Sequence, residues 1–287
     1  MIDDLIIDAG MHKGEDAEYY LKKGFRVVGI EANPELCAFA QDRLKGFLDS
    51  GQLTILNVAI VKDPGPTTFY VSSKSTVWGT TKKNWVERNE RMGSKAHEII
   101  VDGVPFSQIL ETYGVPYYLK IDIEGSDILC LEGLLGSPTT PKYISIESTK
   151  TSWKELKYEF DLFERLGYSH FKVVRQSDIS DQRCPNPPRE GKYVDHAFES
   201  ESSGLFGEEA PGIWLSRRIA LLVYFKIYIK YFLFGNYGVI PNLHKRIHNW
   251  PRLRRLVHPS WYDTHAKQSA HRAAISGYDR TQGEGAS

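Results

Sequence analysis

The sequence predicts an α/β domain built on a mostly parallel sheet of seven strands with helices on both faces, followed by a helical C-terminal appendage. Three observations predict it. Short apolar runs alternate with helical stretches through the first 175 residues of a 287-residue chain, the pattern of strands joined by crossover helices. The first run, Leu5-Ile6-Ile7, passes through Asp8-Ala9-Gly10 into a helix that starts near Gly14. Four of the first five strand ends carry an acid: Asp8, Glu31, Asp122 with Glu124, and Glu147, with Asn57 at the remaining one. Buried charges are costly unless paired or functional.

The elements follow in order. Leu5–Asp8 is the first strand and Glu15–Lys23 its helix, ended by Gly24. Arg26–Ile30 is the second strand. Pro34 opens the second helix, where proline is tolerated, and the helix runs to about Leu48. Leu53–Val58 is the third strand. After the turn-rich Asp63-Pro64-Gly65-Pro66, Thr67–Val71 reads as an extra strand. Ser72–Ala96 reads as a loop and short helix over a pocket. Ile99–Val101 is a short strand and Phe106–Tyr113 a helix. Tyr117–Asp122 is the fourth strand, followed by a helix near Ser126–Leu135. Tyr143–Glu147 is the fifth, with a helix over Trp153–Leu166 closed by Gly167. Phe171–Val174 is a sixth strand, and Ile213–Leu215 supplies the seventh. This gives a main domain over 1–218, an aromatic-rich appendage over 219–266, and a polar tail over 267–287 expected to be disordered.

Composition narrows the function classes. Lys and Arg total 36, as do Asp and Glu, so no bulk attraction to nucleic acid is implied. Three cysteines, Cys37, Cys130 and Cys184, show neither metal spacing nor a disulfide framework. The acidic N-terminus enters a strand at once, without the basic and apolar regions of a secretory signal; a cytoplasmic location is the expectation. Ile219–Phe234 is almost wholly apolar but shorter than the ~20 residues that span a bilayer. It reads first as a helix packed on the domain, and otherwise as a homodimer contact or a peripheral contact with the inner face of a membrane.

The first loop narrows the ligand. A strand turning sharply into a helix leaves backbone N–H groups unpaired, and glycine lets a ligand approach closely. A carboxylate closing the second strand, Glu31, can accept two ribose hydroxyls. The spacing is Asp-x-Gly-x-x-x-Gly, whereas the dinucleotide fingerprint is Gly-x-Gly-x-x-Gly with a pyrophosphate at the helix start. Asp8 occupies that first glycine position. Its negative charge disfavours NAD(P) and favours a cationic sulfonium, S-adenosylmethionine.

Four segments carry a resemblance: Asp8-Ala9-Gly10 through Gly14; Val28-Gly29-Ile30-Glu31-Ala32-Asn33-Pro34; Leu119-Lys120-Ile121-Asp122-Ile123-Glu124-Gly125; and Ser145-Ile146-Glu147. Over residues 5–175 the chain resembles the FkbM family of S-adenosylmethionine-dependent methyltransferases. The resemblance implies a Rossmann-like methyltransferase fold and O-methylation of a hydroxyl on a sugar, glycolipid or secondary metabolite. Ser203–Glu209 and Trp261–Ala266 look like segments of some members. His12 is a departure, standing where a small or amide residue is expected.

Candidate roles follow. Methyl transfer is an in-line displacement that needs the acceptor oxygen held at ~3–3.5 Å from the methyl carbon and its proton removed. The cofactor-binding candidates are Asp8, Gly10, Gly14, Glu31, Asn33, Asn57, Ala59 and Asp122. Gly10 and Gly14 shape the loop around the methionine moiety. Asp8 accepts from the cofactor's amino group or orders the loop. Asn57 to Ala59 lie where the adenine edge should sit. Asp122 is the leading candidate base, with Glu124, Glu147 and His12 as further catalytic candidates. Glu124 also reads as a helix-start carboxylate, and Lys120 as the cation that neutralises the acidic cluster. Asp122, Glu124 and Glu147 are candidate ligands for Mg²⁺, a metal that is not expected. His196, His244, His248, His258 and His265 form no ligand-spaced pair, although His265 could line the acceptor pocket. The basic run Pro251–Arg255, flanked by Trp250 and Trp261, leaves an RNA methyltransferase as an alternative, with an NAD(P) oxidoreductase as the other.

Overall fold

The computed structural model describes residues 1–269 except 75, 92, 150, 200, 236–238, 241–242, 244–246, 248, 251, 253–256 and 258–259. His244, His248, His258, most of the 251–255 run and the tail from 270 lie outside the described residues.

The strands of the main sheet are β1 (Ile2–Ala9), β2 (Arg26–Ile30), β3 (Leu53–Leu56), β7 (Pro116–Ile121), β8 (Tyr143–Glu147), β9 (Tyr168–Arg175), the two-residue β10 (Leu215–Ser216) and β11 (Tyr262–Gln268). Their order is β10-β9-β11-β8-β7-β1-β2-β3. The β3-β2-β1-β7-β8 run is parallel throughout. β11 enters antiparallel between β8 and β9, and β10 is an antiparallel edge on β9. β4 (Ala59–Ile60), β5 (Gly65–Ser72) and β6 (Ala96–Val104) form a separate small sheet, order β4-β6-β5.

Each parallel strand reads as a near-continuous apolar run because both its faces are covered. On one face Ile7, Leu119 and Ile144 pack with residues of α5 (Phe106–Tyr113), α6 (Ile128–Gly133), α7 (Trp153–Arg165) and α8 (Arg217–Phe234). On the other, Ile6, Val27 and Tyr118 pack against α1 (Glu15–Lys22), α2 (Pro34–Arg43), and Phe198, Leu205 and Phe206 of the irregular 176–214 segment. That segment is fastened to α1 by a fully buried ion pair, Lys23 Nζ to Glu209 Oε2 at 2.9 Å. Glu209 Oε1 also accepts from the backbone N–H groups of Arg189 and Glu190. The Ser203–Glu209 motif is thus a clasp on α1, since Ser203 N also donates to both carboxylate oxygens of Asp16 at 2.9 Å.

Three expectations are corrected. The second helix breaks at Leu44 into α2 and α3 (Lys45–Asp49). The third strand stops at Leu56, and Ala59–Ile60 leaves for the small sheet. The boundary drawn at 218 cuts through the fold: the expected seventh strand is present as β10, and β11 is an eighth, interior to the sheet, to which Lys267 and Gln268 belong rather than to a tail. Its sequence, Tyr-Asp-Thr-His-Ala-Lys-Gln, carries polar residues at Asp263, Thr264 and His265, all buried. A buried polar network on the outer face anchors it. The Thr264 hydroxyl lies 2.6 Å from Tyr224 Oη of α8 and 2.5 Å from Ser148 Oγ, and Ser148 donates to Glu159 of α7.

α8 buries Ala220 and Tyr224 against this face. Its other side leaves Ile219, Leu222, Phe225, Ile229 and Phe232 exposed. No helix among the described residues is long and apolar enough to cross a membrane.

Candidate active site

A cleft of about 790 Å³, counting the space at its open mouth, lies at the carboxyl ends of β1, β2 and β7. Its lining combines apolar side chains, Ile30, Val58, Ala59, Ile60, Phe69 and Val77, with acids, Glu15, Asp16, Glu31, Asp122, Glu124 and Glu201, and Lys120.

The loop after β1 is held by its neighbours. Gly10 adopts φ +83°, and a Cβ there would run into the Asp122 carbonyl, so only glycine lets the β1 and β7 loops approach so closely. His12, also at positive φ (53°), donates its backbone N–H to Glu31 Oε2 at 3.0 Å. Its ring is engaged at both nitrogens, Nδ1 with Glu15 at 3.1 Å and Nε2 with Thr76 Oγ1 at 2.8 Å. His12 is therefore a strut between the first loop and the segment above the cleft, an arrangement that occupies the atoms a general base would need.

Glu31 accepts from His12 N and, through Oε1, from Asn33 N at 2.8 Å. A carboxylate has about four acceptor positions, so two remain for a ligand diol. Burial, partly offset by the Asn33 and His12 N–H groups, pushes its pKa up to about 7. Asn33 itself caps α2, its Oδ1 accepting from Glu35 N, and Asn57 donates to the Glu31 and Ala32 carbonyls. Neither lines the cleft; both fix the turn that aims Glu31. Gly14 is also outside the lining and packs against Leu44.

Asp8 is fully buried beneath the loop. Lys120 Nζ donates to Asp8 Oδ1 and to the Gly10 carbonyl, each at 3.0 Å, and lies 3.5 Å from Asp16. Of the two roles considered for Asp8, ordering the loop matches this geometry. Burial raises the Asp8 carboxyl, with Lys120 opposing and Asp16 reinforcing the rise. Lys120 stays charged: burial disfavours the ammonium, but Asp8, Asp16 and Asp122 outweigh it.

The β7 loop is equally fixed. Asp127 accepts from Ile123 N at 3.0 Å and Gly125 N at 2.9 Å. Thr80 donates to the Glu124 carbonyl, and Thr81 meets Ser126 at 3.0 Å. Trp85 of α4 (Lys83–Arg91) lies against Gly125. Glu124 is held at φ 47°, inside the cleft lining, rather than in a helix start. Asp122 also lines the cleft; burial raises its carboxyl, and Lys120 opposes the rise.

Sheet register joins foreseen residues, Asp8, Lys120 and His265, to two that were not, Ser145 and Lys172. Asp8, Lys120, Ser145, His265 and Lys172 are successive cross-strand neighbours on β1, β7, β8, β11 and β9, one buried polar row. Glu147 pairs with Asp263, just beyond the Ile121–Ile146 pair that precedes Asp122. Asp263 is only 4 % exposed, accepts from Gln176 at 2.9 Å, and is pushed up to about 8 by burial and by Asp122. His265 sits within the sheet and does not line the cleft; burial, with Lys172 nearby, drives its pKa down to about 3. Glu147 is likewise outside the lining. Asp122, Glu124 and Glu147 do not converge: no group of three or more His, Cys, Asp or Glu among the described residues is arranged to hold a metal.

These features suit an adenosyl sulfonium: apolar lining for a base, a carboxylate with spare acceptor positions for a diol, and an excess of acidic over basic lining residues. A pyrophosphate would face that charge unfavourably. A family model described as "Methyltransferase FkbM domain" matches residues 8–170, more than half of the chain. No curated protein matches. Among solved structures, a precorrin-6y C5,15-methyltransferase from Geobacter metallireducens is 11% identical, with 93% of this chain and 81% of that chain covered at a TM-score of 0.38. A SAM-dependent methyltransferase from Archaeoglobus fulgidus is also 11% identical, with 93% and 86% covered at 0.35. Neither likeness bears on substrate.

Proposed function

The chain belongs to the FkbM methyltransferase family and is an S-adenosylmethionine-dependent methyltransferase; from that premise we propose that it transfers the methyl group to a hydroxyl oxygen of a sugar, glycolipid or secondary metabolite. The observation that carries this reading is Asp122. Its carboxylate stands in the cleft wall at the end of β7, with a proton affinity raised by burial toward the working range of a general base. Hydroxyl acceptors need such a base.

When bound, the cofactor supplies an electrophilic methyl group. The chain's own residues do the rest. Glu31 accepts from the ribose hydroxyls while its two backbone bonds keep the first loop in place. Val58, Ala59, Ile60 and Phe69, which line the cleft, would hold the cofactor's base. Lys120 and Asp8 keep the Gly10 turn rigid, which fixes the path of the methionine portion. Asp122 takes the acceptor's hydroxyl proton, while Lys120 holds the local charge in balance. Charge neutralisation in a partly water-excluded site is worth more than in solvent.

The test is transfer of label from methyl-¹³C cofactor to a panel of hydroxyl, amine and thiol acceptors, read by mass spectrometry and NMR. Label on oxygen supports the reading. Label confined to nitrogen, sulfur or carbon contradicts it.

A further inference from the structure

We propose that α8 (Arg217–Phe234) is a membrane-surface anchor that seats the enzyme on anionic lipid. Two independent observations converge on it, one from the structure and one from the sequence.

The first is α8. A helix that is apolar all round belongs in a protein core, yet only one side of α8 is in one. Ala220 and Tyr224 face inward. Ile219, Leu222, Phe225, Ile229 and Phe232 recur every three or four residues along the opposite side, with Leu222 and Phe232 at 58% and 59% exposure. Eighteen residues give a ridge about 27 Å long. Soluble surfaces rarely present a continuous stripe of that size without a partner. Trp250 and Ile240, further along the chain, are exposed as well.

The second is charge. From Arg217 to Trp261 the sequence contains nine Lys and Arg and no Asp or Glu, in a chain whose totals are 36 and 36. All of the compensating negative charge lies elsewhere. Neutral composition therefore conceals a basic, aromatic-rich stretch of sequence and an acidic remainder; on α8, Arg217 is engaged by Asp161 and Glu164, while Lys226 is exposed. Lys226 sits within the exposed stripe, where its alkyl stem can lie along apolar surface while the ammonium reaches headgroups. Basic charge next to inserted apolar side chains is the composition of helices that lie in the plane of an anionic interface. The absence of any membrane-crossing helix among the described residues matches lying on the bilayer rather than spanning it.

The charge also argues against a second copy as the occupant. An isologous dimer through this stripe would set Lys226, near the middle of α8 and exposed within the stripe, against its own copy, a like-charge arrangement that interfaces avoid.

The experiment is flotation of the full chain with vesicles of phosphatidylcholine alone and with phosphatidylglycerol added, at 0.1 and 0.5 M NaCl. The proposal requires binding to the anionic vesicles, weakening at high salt through screening, and a loss of about tenfold or more in the double variant Leu222→Gln/Phe232→Gln, given the apolar burial removed. Both positions are exposed, so circular dichroism and S-adenosylhomocysteine binding should match the parent chain. Failure to float at any composition overturns the proposal. So does lipid-independent dimerisation that the double variant abolishes, or salt-sensitive retention on RNA without vesicle binding.

Discussion

Replacing Glu31 separates two jobs that this residue does at once. Its carboxylate accepts from His12 N at 3.0 Å and Asn33 N at 2.8 Å and is assigned the ribose hydroxyls. Bonds to charged groups contribute about 1.5–3 kcal/mol, and a buried donor left unpaired costs about 1–3 kcal/mol. Glu31→Ala strands two buried N–H groups but also removes a carboxylate that burial makes costly once ionised, so apoprotein stability should fall by about 2–4 kcal/mol at pH 5 and by less at pH 8. Glu31→Gln keeps the shape and one acceptor oxygen, so the loss should be about half. Losing the charged acceptor should weaken S-adenosylhomocysteine by roughly 1–3 kcal/mol, about 5- to 150-fold. The assay pairs urea denaturation with calorimetric titration of each variant. The same carboxyl sets a pH dependence. With its pKa raised to about 7, the accepting anion is lost on acidification, so affinity should fall below pH 7 and level off above pH 8. Glu31→Gln should flatten that profile. A folded Glu31→Gln protein with parental affinity and an unchanged pH profile would refute the assignment, since only the backbone role would remain.

Three further outcomes are expected. Asp122→Asn should cut methyl transfer by about 10²–10⁴ while leaving S-adenosylhomocysteine affinity within a few-fold, measured by label transfer and titration; near-parental turnover would remove Asp122 as the base. Asp263→Asn should be near neutral at pH 4 and increasingly stabilising from there to about pH 8, because the unfolded carboxyl ionises near pH 4 while burial holds the folded one protonated up to about 8; thermal midpoints at pH 4 and pH 9 check this, and equal effects at both would contradict it. Lys23→Met should lower stability by about 3–5 kcal/mol, since it leaves the buried Glu209 carboxylate without its cation; urea midpoints measure it, and a loss below 1 kcal/mol would show the clasp to be weak.

Local signals carried much of the architecture. β2, α5 and β8 have the bounds that apolar patterning and flanking turn residues set. The acids at strand ends pointed to the correct end of the sheet, because a charge that follows a buried run must surface, pair or serve a ligand. β11 was illegible for a physical reason. Asp263, Thr264 and His265 look like a loop, and only contacts with Gln176, Ser148 and Tyr224, remote in sequence, make that strand buryable. The small sheet was half visible, as Thr67–Val71 and Ile99–Val101, but the departure of Ala59–Ile60 to join it depends on pairing with Gly103 and Val104. In the site, Asn33 and Asn57 looked like ligand contacts and are backbone fasteners. Glu15 and Asp16 were not among the candidates, yet they line the cleft. Their burial follows from His12, Lys120 and Ser203 converging on them, which sequence spacing does not encode. The signal that could have found them is the pair of adjacent acids directly after Gly14, at the point where a ligand must meet the helix.

The most direct test is calorimetric titration of the purified chain with S-adenosylhomocysteine, with NAD(H) run in parallel. The account predicts one-to-one binding of the adenosyl ligand at micromolar affinity and none of the dinucleotide. Absence of adenosyl binding to folded protein, or comparable binding of NAD(H), would contradict the reading of the acidic cleft from which the assigned roles of Glu31 and Asp122 follow.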